Sequence, residues 1–91
     1  MSVTYMIGYD LNKAGKNYDG LIAKIKEIAN GYWHHLDSTW LIGSALSVVE
    51  IRDALMPFLD NDDELLVCVV STPAAWVGFN ESASNWLKTD L

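Results

Sequence analysis

The apolar pattern of this chain changes period along its length, and the order of those periods is what most limits the fold. Val3, Tyr5, Ile7 and Tyr9 alternate with Thr4, Met6 and Gly8, the two-residue period of a strand. Tyr18, Leu21, Ile22, Ile25 and Ile28 then follow the 3.6-residue period of a helix, with Asn17 placed to cap its start and Asn30-Gly31 to stop it. Residues 32–44 are rich in aromatic and β-branched side chains, which predicts two short strands, or one strand bent at Asp37-Ser38. Ser47-Val48-Val49-Glu50 has the spacing of a capping box and opens a helix with Ile51, Leu55, Phe58 and Leu59 as its stripe. Pro57 predicts an irregular last turn. After a turn at residues 60–63, residues 64–71 read as a strand whose near-continuous apolar run predicts a central position. Pro73 starts another extended segment, residues 74–79, and Asn80 is placed to cap a short last helix over 81–88.

Strand, helix, strand, strand, helix, strand is the split arrangement of an α+β, ferredoxin-like domain, here with an extra C-terminal strand and short helix. Its two helices would cover one sheet face and leave the other open. With 91 residues and no dividing linker, residues 1–91 are expected to form one domain. Apolar residues make up 51%, including four Trp, four Tyr and two Phe, more than one small core hides. Trp33, Trp40, Trp76 and Phe79 all fall in strand-like segments. The second face is therefore expected to close against another copy in a homodimer, with residues 73–91 at the interface.

Net charge is −6 and uneven: residues 1–30 carry four lysines against three acids, residues 31–91 two basic residues against nine acidic ones. Coating of long nucleic acid needs many cationic contacts, so only a short nucleotide at one place suits this balance. The single Cys68 sits in an apolar run and forbids an internal disulfide. No basic-then-apolar leader opens the chain, and its longest apolar stretch is too short to span a bilayer. A cytoplasmic protein with no membrane partner is expected.

The start Tyr5-Met6-Ile7-Gly8-Tyr9-Asp10-Leu11, the segment Ser38-Thr39-Trp40, the acidic helix of residues 49–59 and the strand of residues 64–70 together resemble the small CRISPR-associated endoribonuclease and adaptation-scaffold family. The virulence-associated protein D toxins share that fold, and the chain is also similar to short SinR-like bacterial and phage proteins. The resemblance covers residues 3–71 and is one of layout. It implies that Asp10, ending the first strand, meets its two-fold mate and holds a divalent ion. Two carboxylates across an axis suit Mg²⁺, which would polarise a phosphodiester and activate water. Ser38 matches the family's serine in the second strand, making Asp10 and Ser38 the implied catalytic pair. The alternative for Asp10 is a side-chain turn with the amides of the loop that follows, and for Ser38 a turn hydroxyl.

Where that family follows its aspartate with several basic residues, this chain has Lys13 and Lys16 in the loop, then Lys24 and Lys26 on the helix. Trp33 and Trp40 flank the Asp37-Ser38 bend and could stack a base; the alternative is core or interface packing. His34 and His35 should leave opposite faces of their strand, so they do not share a metal ion. One of them, His35 for a bound nucleotide, could reach a phosphate or act as a general acid near Asp10; the alternative is packing or a turn role. No Gly-rich phosphate loop, paired zinc motif or hydrolase elbow occurs. Two functions follow. One is a homodimeric, Mg²⁺-dependent endonuclease acting on RNA or DNA. The other is a non-enzymatic dimer in phage or bacterial defence that binds a small nucleotide or a protein partner through Trp33, Trp40, His35 and the Lys13 and Lys16 loop.

Overall fold

The computed structural model describes residues 3–12 and 18–91. It is an α+β fold in which β1 (Val3–Asp10), β2 (Gly31–Leu36), β3 (Thr39–Ser44) and β4 (Glu64–Val69) form one sheet in the order β2-β3-β1-β4. Every neighbouring pair is antiparallel. The helices are α1 (Asp19–Ile28), α2 (Val48–Leu55) and α3 (Glu81–Asp90). A turn of 3₁₀ helix, Met56–Phe58, follows α2 with Pro57 inside it, as expected from a proline that supplies no amide to an α-helical bond.

Alternation decides which residues meet. Tyr5 and Ile7 of β1 face the same side as Trp40 and Ile42 of β3, and there they bury Leu21 and Ile25 of α1 and Ile51 and Leu55 of α2. Ser47 starts α2 as the capping box predicts: its hydroxyl accepts from the Glu50 amide and the Glu50 carboxylate accepts from the Ser47 amide. Ser44 is the one buried polar side chain among the described residues, and it is satisfied. Its hydroxyl donates to the Ile28 carbonyl at 2.9 Å and accepts from the Leu46 amide at 3.2 Å, which joins the end of α1 to the entry of α2.

The expected Asn17 cap lies outside the described residues; the Tyr18 side chain at the start of α1 makes no cap hydrogen bond. Two expectations change. β4 is an edge strand, not a central one. Its apolar run arises because Leu65 and Val67 pack on the helical core while Leu66 and Val69 stay 57% and 60% exposed. Residues 70–80 form no strand. Gly78 turns the chain at a φ of 91°, and Trp76 and Phe79 both turn toward the sheet instead of alternating.

The sheet face away from α1 and α2, the outer face, is covered in part by this chain's own C-terminal segment. Asn80 caps α3 by accepting from the Ala83 amide at 2.8 Å. Ala83 and Leu87, four residues apart and so on one helix face, pack on Trp33 with Leu41, Phe79 and Leu91 around them. Trp33 Nε1 donates to the Ala83 carbonyl at 3.2 Å, and Thr4 Oγ1 donates to the Asp90 carbonyl. The aromatic surplus is thus spent partly on a second core within the chain.

Candidate functional site

Two places gather the residues singled out by the sequence. The first is the sheet end where β1 stops. Asp10 is the last residue of β1 and stands directly opposite Glu64, the first of β4, so both side chains leave the outer face. Both are exposed. The Ser38 carbonyl accepts from the Tyr9 amide at 3.0 Å, which brings the β2–β3 turn to the same end. Ser38 therefore lies in a turn and not in a strand, exposed beside the end of β1.

Asp63 organises the chain at this end of the sheet. Its carboxylate accepts from the Asn12 amide at 2.9 Å, the Tyr18 hydroxyl at 2.9 Å and the Asp60 amide at 2.8 Å. Among the described residues no hydrogen bond or ion pair reaches the Asp10 carboxylate. Asp10 and Glu64 are hard oxygen donors of the type Mg²⁺ takes, yet no group of three or more metal-ligating side chains forms among the described residues.

Trp33 and Trp40 do not share a pocket. Trp40 is buried on the helical face, donating from Nε1 to the Tyr9 hydroxyl at 3.0 Å, with His34 stacked on it at 3.8 Å and 11°. Trp33 is on the outer face, edge-on to Phe79 at 4.9 Å, with His35 5.0 Å away. The two histidines do leave opposite faces, as expected. Lys13 and Lys16 lie outside the described residues.

The second place is a cleft of about 390 Å³ on the outer face. Met6 and Leu41, opposite each other on β1 and β3, form its floor. Trp33 and Leu36 close the β2 side, and residues 74–77 with Phe79 form the opposite wall. Leu87 of α3 and its C-cap Leu91 stand at its end, and Trp76 is fixed by donating from Nε1 to Ser84 Oγ at 3.2 Å. Among the described residues of the lining Thr39 is the only polar side chain besides the two tryptophans, and no charged one takes part. Sequence reasoning missed most of these residues. The signal was present in the spacing of Ala83, Trp86, Leu87 and Leu91, an apolar stripe on an otherwise polar C-terminal segment.

Comparisons with protein-family models, with curated proteins and with solved structures find no match for this chain.

Proposed function

We propose that this chain is a ferredoxin-like binding module whose outer-face cleft takes a small, uncharged, largely apolar or aromatic molecule. The cleft's chemistry carries the reading. Its volume falls within the roughly 300–1,000 Å³ of small-molecule sites, and such sites are mainly apolar with a few orienting polar groups. Here Thr39 is the orienting group, and Trp33, Trp76 and Phe79 offer aromatic surface. Among the described residues of this lining no cation stands ready for a nucleotide phosphate, which is why an uncharged occupant is the better match.

The test is titration with uncharged mono- and bicyclic aromatics, followed through the methyl resonances of Met6, Leu41 and Leu87. The expected result is saturable shifts confined to the outer face. Leu36→Lys, at a residue 47% exposed, should weaken binding at least tenfold while leaving the fold intact. No shift with any probe at millimolar concentration would refute the reading.

A second reading, a Mg²⁺-dependent nuclease in phage or bacterial defence, is favoured by one observation: Asp10 and Glu64 present adjacent carboxylates beside Ser38. In it Asp10 and Glu64 would hold the ion, and the ion would polarise a phosphodiester. Cleavage of labelled RNA and DNA with Mg²⁺ or Mn²⁺, lost in Asp10→Asn, would support it.

A further inference from the structure

We infer that the open edge of β4 is a self-association surface, on which a second copy adds its own β4 antiparallel to make one eight-stranded sheet. The inference is independent of what the cleft binds. Among the described residues no strand borders the far edge of β4. The two sheet edges differ in kind. The β2 edge is broken by a register shift between Trp33 and Leu36, a device that discourages edge pairing. β4 is regular, pairing in unbroken register from Glu64 to Val69, with no proline, no lysine and no bulge.

Backbone alternation sets the register. The Val70 amide donates to the Thr4 carbonyl at 3.0 Å, so Val70, Cys68, Leu66 and Glu64 point their backbone groups at β1. Leu65, Val67 and Val69 then point theirs outward. A two-fold axis normal to the sheet keeps each face on its own side. The one such register that uses all three outward residues places Val67 on the axis and Leu65 opposite the partner's Val69. Leu66 then falls opposite the partner's Cys68. Glu64, the only charged residue of β4, falls opposite the partner's Val70, so no like charges meet. The exposed side chains of Leu66 and Val69 are both covered. The partner's Val69 is delivered next to a shallow groove of about 220 Å³ that Val49 and Arg52 of α2 form with Leu65.

Light scattering across a concentration series should show twice the 10.1 kDa chain mass at high micromolar concentration. Val69→Pro removes one outward donor without touching a β1 bond and should weaken the dimer at least tenfold. Leu66→Lys, a charge on the edge at an exposed site, should do the same if the proline variant does not fold. Leu66→Cys tests the register, because the introduced thiol and the partner's Cys68 would belong to a non-hydrogen-bonded pair about 4.5 Å apart at Cα, within disulfide range. Mild oxidation should then trap a covalent dimer. A protein that stays monomeric, a dimer that neither edge variant weakens, or a Leu66→Cys protein that does not cross-link would each overturn the inference.

Discussion

At the scale of single residues, two carboxylates at one end of the sheet, Asp63 and Asp10, have opposite consequences. Asp63 collects an amide from Asn12, a hydroxyl from Tyr18 and an amide from Asp60, so it ties the loop after β1 to the turn before β4. Asp63→Ala leaves these donors without their acceptor and should cost about 1–3 kcal/mol, read as a lower melting temperature. Asp10 faces Glu64 with no compensating donor among the described residues. Like charges directly opposite on a sheet repel, so Asp10→Asn should raise the melting temperature. The gain should shrink in high salt, which screens exposed charges. If Mg²⁺ raises the melting temperature of the unmutated protein and not of Asp10→Asn, the pair binds the ion. The Trp33 and Trp40 placement shows where residue-level reading fails. Carried through without a slip, the Leu36–Thr39 pairing would put Trp33 opposite Ile42 and on the same face as Trp40. The register shift before Leu36 pairs Trp33 with Leu41 instead, and a one-residue slip turns a side chain to the other face.

At the scale of elements, the legible parts were those with local signals. The capping box at Ser47, the turn of 3₁₀ helix at Pro57, the hairpin bend at Asp37-Ser38 and the Asn80 cap are all in place. Each depends on residues within a few positions of one another. The edge position of β4 and the irregular course of residues 70–80 depend on partners far along the chain, which no local pattern encodes. The two caps make a matched test of how the two cores are coupled. Ser47 starts a helix that buries Ile51 and Leu55 in the larger core, so Ser47→Ala should cost about 1 kcal/mol and lower the global transition. Asn80 starts a helix attached mainly through Ala83 and Leu87. Asn80→Ala should lose a similar amount locally, seen as faster hydrogen exchange in α3 while the amides of α2 keep their protection.

At the scale of the whole molecule, one sheet carries a larger core on its helical face and a smaller one on its outer face, and these two faces separate the possible assemblies. From sequence, the outer face was expected to be closed by a partner through residues 73–91; in the structure those residues pack on their own sheet. Leu87 is 4% exposed in the smaller core, at the end of the cleft and on a helix that packs on β2, at the opposite edge of the sheet from β4. Leu87→Glu buries an unpaired charge beside Trp33, so α3 should detach and the cleft lose its end wall. The larger core shares no buried residue with that cluster and should survive, keeping most of the far-ultraviolet dichroism. Aromatic probes should then no longer bind. If the two copies join along β4, self-association should persist in Leu87→Glu at the strength of the unmutated protein. If residues 73–91 hold the dimer instead, the same substitution should leave a monomer by light scattering, so one full-length variant assigns the ligand and the partner to separate surfaces or to a single one.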